Sequence, residues 1–235
     1  MSADYYTRLE QQRGPQPSEQ MVAAIARALR LDLDERDHLF RLAGHNAPVR
    51  VRRVDHVAPA LLRVLDRLED TPAMVVSDLG ETLVANRMAE ALLGVQTGRS
   101  GNERSQVWRW FTDPAERARY APEEHEHLER IQVANLRAAV SAAGPGDRRA
   151  AELVAALERR SPEFVRVWTL HEVGTRWSDR KTFMHPELGR IAVDCQVLLT
   201  ENHAQALLLF TATPGTEDAD KLALLGVVGQ QTFAS

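Results

Sequence analysis

The chain has little that would place it outside a cell or across a membrane. It has one cysteine, Cys195, in 235 residues, which excludes an internal disulfide framework and suits a reducing compartment. No run approaches the ~18 consecutive apolar residues of a membrane span; ALLLF, after Gln205, is the longest candidate and falls far short. The N-terminus lacks the basic-then-apolar pattern of a signal peptide. A cytoplasmic protein with no membrane partner is the expectation. Catalytic signatures are missing as well: there is no G-x-S-x-G elbow, P-loop, G-x-G-x-x-G fingerprint or CxxC pair. No catalytic residue, cofactor or metal is therefore expected. Glu124-His125-Glu126-His127 invites a metal reading, but i and i+2 residues point apart on a helix, so a solvated face is favoured. Internal repeats and low-complexity tracts are absent too.

What is present is ordinary globular material, 44% hydrophobic and 26% charged, enough for one large domain or two modest ones. Charge is uneven. Residues 1–53 carry nine Arg against seven Asp and Glu, whereas the whole chain is at −4. The basic front permits a polyanion partner without proving one.

Three short helices are expected in the first forty-odd residues. The first follows Ser2 and ends before Gly14-Pro15. The second starts at Ser18, with Val22, Ile25 and Leu29 on one face, and the third opens at Asp34-Glu35 and stops at Gly44. HNAPVRVRRVDHVAP reads as a linker. Beyond it come a helix around residues 60–68 and a hairpin made of AMVVS and TLVAN. Asn86 then caps a short helix that ends at Gly94. Residues 95–107 read as a mobile polar loop, and WRWF brings back a core. Asp113-Pro114 starts a helix, a long helix runs through HLERIQVANLRAAV, and another through LVAALERR. Ser161-Pro162 restarts a helix once more. Strands are expected over Lys181–His185, Ile191–Leu199 and Ala206–Ala212, and a closing helix over Ala219–Val228. In Ile191, Val193, Cys195, Val197 and Leu199 the period is two, with Cys195 a small buried hydrophobe. The fold class is α+β, a helical module followed by a module with an antiparallel sheet.

SADYYTRLEQQRG has the parts of a helix that reads DNA. Ser2 caps and bonds phosphate, Asp4, Tyr5 and Arg8 reach toward bases or backbone, and Arg13 ends the helix near phosphate. This stretch resembles the recognition helix of the XRE-type helix-turn-helix family, and GPQPSEQMVAAIARALRLDLDERDHLFRLAG resembles that domain's last two helices. The resemblance implies two earlier helices that the sequence does not contain, and an apolar residue, often Val, where Met1 stands. A start misread at a GTG codon, a trimmed chain and a decayed domain are the alternatives. In this partial form, DNA binding is expected to be weak or absent, because Tyr6, Leu9, Val22, Ile25 and Leu29 lose partners to bury against.

SPEFVRVWTLHEVGTRWSDRKTFMHPELGRIAVDCQVLL, running into LLLFTATPG, is similar to the ligand-binding domain of MmyB-like transcription regulators. The matching pieces are SPEF-x3-W, His171-Glu172-Val173, Lys181 to Gly189 and Phe210 to Gly215; DTPAMVVSDLGETLVANRMAEALLG fits the first hairpin and helix. The sequence departs at Asp194-Cys195, where an aromatic is usual, at Phe210, where Tyr is common, and over 95–107. The resemblance implies a PAS-like domain, an antiparallel sheet with helices over one face enclosing an apolar pocket, with a fatty acid the best candidate ligand. It divides the chain into a partial helix-turn-helix domain (1–44), a linker (45–58) and a PAS-like domain (59–230). Candidate ligand contacts are Trp108, Phe111 and Trp168 on the helical side, in an aromatic group with Trp110 and Trp177. His171, Arg176 and His185 are candidates for a carboxylate end; His185-Pro186 equally fits a turn. The expected function is a DNA-binding transcriptional regulator that senses a small apolar ligand and meets paired half-sites as a homodimer. The alternative is a ligand-binding or protein-interaction module with a vestigial DNA-binding domain.

Overall fold

The computed structural model describes residues 16–47, 55–143, 146–174, 178–200 and 204–231. The expected first helix, with Ser2, Asp4, Tyr5, Arg8 and Arg13, lies outside the described residues, as do Arg176 and Trp177. The chain divides into two compact units between Arg50 and Val51.

In the first unit, helix α1 (Glu19–Ala28) is capped by Ser18, whose hydroxyl accepts from Met21 N. Helix α2 (Leu33–Leu42) begins earlier than the Asp34-Glu35 pair indicates. Asp32 is the cap: its carboxylate accepts from Glu35 N at 2.8 Å while Glu35 accepts from Asp32 N at 2.9 Å, a reciprocal capping box. Val22, Ile25, Ala26 and Phe40 are buried, whereas Leu29, expected on the same apolar face, is exposed because α1 has ended at Ala28. Gly44 has a φ of +72°, and a Cβ there would lie 2.0 Å from Gln16 Nε2, which donates to Ala43 O. The left-handed backbone favours glycine there, and a side chain would also displace the Gln16 amide from Ala43 O.

The second unit is built on a five-stranded sheet of order β2-β1-β5-β4-β3, antiparallel at every pairing. The strands are β1 (Ala73–Ser77), β2 (Thr82–Ala85), β3 (Ser178–His185), β4 (Gly189–Leu199) and β5 (Gln205–Thr211). Alternation sorts side chains to two faces. Met74, Phe183, Ile191, Val193, Cys195 and Phe210 join the main core. It is built with helices α4 (Arg87–Leu93), α5 (Gln106–Thr112), α7 (His125–Ala143), α8 (Arg148–Arg160), α9 (Pro162–Trp168) and α10 (Glu217–Gln231), and with the short α6 (Pro114–Arg117) between α5 and α7. Ala73, Val75 and Leu207 face the other way and are covered by α3 (Pro59–Leu65) through Leu61, Leu62 and Leu65. The sheet is thus clothed on both faces at its β2–β1–β5 end, where helices over one face were expected. No helix among the described residues is long and apolar enough to cross a membrane.

Local caps fall where the sequence signals them. Asn86 Oδ1 accepts from Ala89 N, Asp113 from Ala115 N and Ser161 from Phe164 N. The β3 edge is engaged, and so is the part of β4 that β5 leaves unpaired, which closes open hydrogen-bonding rows there. Along β3, Ala121 N donates to Thr182 O and Met184 N to Arg119 O, and the Glu124 carboxylate accepts from Thr182 N and Oγ1. Beyond the end of β5, Asp218 accepts from Ala192 N and Lys221 Nζ donates to Arg190 O.

Candidate functional site

The inner face of the sheet presents Met74, Leu208 and Phe210 beside Phe183 and Lys181. Opposite them stand Leu93 and Gln96 at the end of α4, Gln106 and Arg109 of α5, and Glu116, Arg119 and Tyr120 of α6 and the turn after it. Between the two lies a recess of about 20 Å³, room for one water molecule. The enclosed apolar pocket expected here is mostly filled, because Trp110, Phe111, Phe164, Leu136, Leu153 and Leu157 pack the helical layer.

Charge sets this recess apart. Arg109, Arg119 and Lys181 face it against one carboxylate, Glu116. Arg109 and Glu116 are 2% and 3% exposed and pair at 3.1 Å; Arg119 reaches the same carboxylate oxygen at 3.4 Å. Burying an ion pair is favourable only if the remaining donors are satisfied. They are: Arg109 Nη2 donates to Gln96 Oε1 (2.7 Å), and Nη1 to the carbonyls of Glu103 (2.7 Å) and Arg104 (3.0 Å). The Lys181 ammonium has no hydrogen-bond or ion-pair partner among the described residues. Tyr120 Oη accepts from Gln106 Nε2 at 2.5 Å. Burial, with the Glu116 charge nearby, pushes the Tyr120 phenol up from its ordinary value, so it stays a neutral O–H.

The same arginine explains residues 95–107. Their polar composition reads as a mobile loop, but they form a turn (Gly101–Arg104) tied from both sides. Arg149 of α8 donates to Asn102 Oδ1 and Gly101 O, and forks onto the buried Glu81 at 2.7 and 3.0 Å. Ser105, fully buried, donates to Leu79 O. Gly101, Asn102, Glu103 and Arg104 are acceptors for guanidinium forks rather than signs of disorder. The available sequence signal was Arg109 itself, an arginine inside the apolar run VWRWF with Glu116 seven residues on.

The residues singled out from the sequence lie elsewhere in this unit. Phe111 meets Phe164 edge to face at 5.4 Å, and Phe164 stacks on Trp168 at the same distance. The Arg137 guanidinium lies 3.8 Å over the Trp168 ring. Trp108 is half-buried against the core, and Trp110 packs edge-on to Tyr120 and His125. His171 is exposed, with a φ of +53°, just past the end of α9. His185 uses both ring nitrogens: Nε2 donates to Ala91 O, and Nδ1 accepts from Glu187 N and Leu188 N. The structure brings Phe111 and Trp168 together through Phe164 and places none of Trp108, Phe111, Trp168, His171 or His185 on the lining of the recess. Lys181, Arg119, Arg109, Gln106 and Tyr120 line it instead.

A second concavity, an open groove of about 470 Å³, runs between α3, the start of α4 and α10. Leu65, Leu68, Met88 and Leu225 line it, and the exposed Asp66, Glu69 and Arg87 flank it. Its two carboxylates oppose an anionic ligand. Among the described residues no group of three or more His, Cys, Asp and Glu is placed to hold a metal ion.

Compared with known families, residues 57–225 match the MmyB-like transcription regulator ligand binding domain. Residues 1–39 match a helix-turn-helix domain. No curated protein matches the chain.

Proposed function

The chain belongs to the MmyB-like transcription regulators, and from that premise we propose that its second unit senses a small apolar molecule with one anionic end, a fatty acid being the class that fits. The chain carries a helix-turn-helix domain and a ligand-binding domain, which support a DNA-binding transcription regulator with a ligand-sensing part. One observation carries the ligand class: three cations face one carboxylate over a floor of Met74, Phe183, Leu208 and Phe210, and Lys181 is unpaired among the described residues. Ligand sites combine an apolar lining with a few placed polar groups, and a carboxylate gains most from charge-assisted donors.

Lys181 and Arg119 take the head group. His185 has both nitrogens engaged and His171 faces solvent, so neither has donors turned to the recess. An acyl chain enters by parting the helical layer from the sheet, since the recess holds only about 20 Å³. Trp108, Phe111 and Trp168, with Arg176, are proposed contacts along that opened path in a PAS-like domain spanning 59–230. In residues 1–44, Ser2, Asp4, Tyr5, Arg8 and Arg13 are the proposed DNA-facing residues, and a homodimer would present two such modules to half-sites one helical turn apart.

The test is a gel shift with DNA from upstream of the chain's own coding sequence, over a salt series, with and without dodecanoate. The chain itself is expected to shift weakly or not at all, and a form extended by in-frame upstream codons to give a salt-sensitive shift that dodecanoate alters. Dodecanoate binding with no shift by either form at any salt would favour a ligand-binding or interaction module. Absence of both a shift and dodecanoate binding would overturn the proposal.

A further inference from the structure

Tyr120 and Gln106 both line the recess and meet by their polar ends, Tyr120 Oη accepting from Gln106 Nε2 at 2.5 Å. Tyr120 is 5% exposed, and a phenol hydroxyl carries one donor besides its lone pairs. Among the described residues no acceptor takes that O–H. Turning the Gln106 amide over does not remove the surplus. Its Oε1 would then accept from Tyr120, and both of its N–H groups would lie unused. Either way the pair brings three donors and uses one. Native proteins seldom leave a buried donor unmade. The rest of the lining offers no relief. Gln96 Oε1 accepts from Arg109, and Glu116 from Arg109 and Arg119. Thr82, the other hydroxyl on the recess, bonds neither Tyr120 nor Gln106. Lys181 and the two arginines can only donate.

We infer that Tyr120, with Gln106 behind it, is a ligand-binding and specificity-determining residue: the pair donates to one oxygen of the anionic head group, which the site therefore recognises as an acceptor as well as a charge; this rests on the proposed ligand reading. An ionised carboxylate is an acceptor-only group with two oxygens, enough to meet the cations and the neutral donors together. An ammonium head fails both, having like charge and no lone pair. At about 20 Å³ the recess is the size of one water, so a head-group oxygen fits there as the pair stands. Burial keeps the phenol neutral, and so a donor. A structural role for the pair would leave different traces. Donors unmade in the ligand-free protein add nothing to its stability, and replacing both partners by apolar groups of like shape is close to neutral. Hydrogen bonds to an ionised acceptor are roughly twice as strong as those to a neutral one, so loss of the pair weakens an acid more than an alcohol.

The full chain and its double variant Tyr120→Phe/Gln106→Met test this, by scanning calorimetry without ligand and by isothermal titration with dodecanoate and dodecanol. The variant should melt no lower than the wild type. It should bind dodecanoate about tenfold more weakly and dodecanol only about threefold more weakly. Tyr120→Phe alone, which keeps the Gln106 donors, should fall between the two proteins in acid affinity. A double variant that melts clearly lower would show its donors already satisfied without ligand and would overturn the assignment. So would unchanged dodecanoate affinity, or a loss for the acid no greater than for the alcohol; each of these leaves a head group held by Lys181 and Arg119 standing. Failure of the wild type to bind dodecanoate would overturn the ligand reading, and the role of Tyr120 with it.

Discussion

Replacing Arg109 by Met keeps an unbranched stem in the space between α5 and α6 and removes every N–H donor at its end. Glu116, 3% exposed, is then left with Arg119 at 3.4 Å. Gln96 Oε1 loses its donor, as do the carbonyls of Glu103 and Arg104. Removing one half of a buried ion pair costs about 3–5 kcal/mol, a large part of a total stability of roughly 5–15 kcal/mol. For a unit of this size each kcal/mol moves the melting temperature by about 2–4 °C, so a fall of about 6–20 °C is expected. Scanning calorimetry reads it. The double variant Arg109→Met/Glu116→Leu should recover much of the loss, because apolar packing replaces the stranded charge. As a control, Arg130→Ala breaks the Arg130–Glu172 pair, which is open to water on both sides, and should leave the melting temperature unchanged. If Arg109→Met melted with that control, the recess would not be organised by its buried ion pair.

Two further outcomes follow from single side chains. Asn86 accepts from Ala73 N (3.0 Å) and Ala89 N (2.9 Å) and donates to Leu68 O (2.7 Å) and Thr71 O (2.8 Å). At a net ~0.5–1.5 kcal/mol per bond, Asn86→Ala should lose about 2–6 kcal/mol in urea titration, well beyond the ~1 kcal/mol of a cap alone; a loss no larger than the cap would contradict it. Burial holds the Glu129 carboxyl above its ordinary value despite the hydrogen bond from Arg166 at 2.6 Å. The folded chain therefore takes up this proton more readily than the unfolded one, and stability falls as pH rises through the raised value. Glu129→Gln should raise the urea midpoint at neutral pH, and the gain should vanish on acidification to the ordinary carboxylate range. A variant less stable than the wild type at neutral pH would show that the Arg166 pair outweighs burial.

Much of the fold is legible because its causes are local. The β1–β2 hairpin with Asn86 behind it, the Ser161-Pro162 restart and the period-two run through Cys195 each need only neighbouring residues. Asp32, two positions before Asp34, is not legible as the cap, since Asp34 and Glu35 carry the same acidic signal and only the reciprocal bond with Glu35 distinguishes it. The face that α3 covers could not be read, because an apolar helix before a hairpin fits either side of a sheet. The recess was the least legible part. Aromatic residues draw attention to Trp108, Phe111 and Trp168, yet packing uses them as core. The groups that give the recess its charge are an arginine hidden in VWRWF, a lysine on β3 and an acid on α6, brought together by pairings tens of residues apart. The bonds that still the turn at 101–104 reach it from Arg149, 47 positions beyond Asn102.

Isothermal titration of the chain with dodecanoate and with dodecanol, in the wild type and in Lys181→Gln, tests the cationic recess most directly. A carboxylate held by an unshared ammonium should bind at least about tenfold more tightly than the alcohol of equal length. That preference should collapse in Lys181→Gln while dodecanol affinity stays put. Equal affinity for acid and alcohol, or an acid preference untouched by Lys181→Gln, would contradict it.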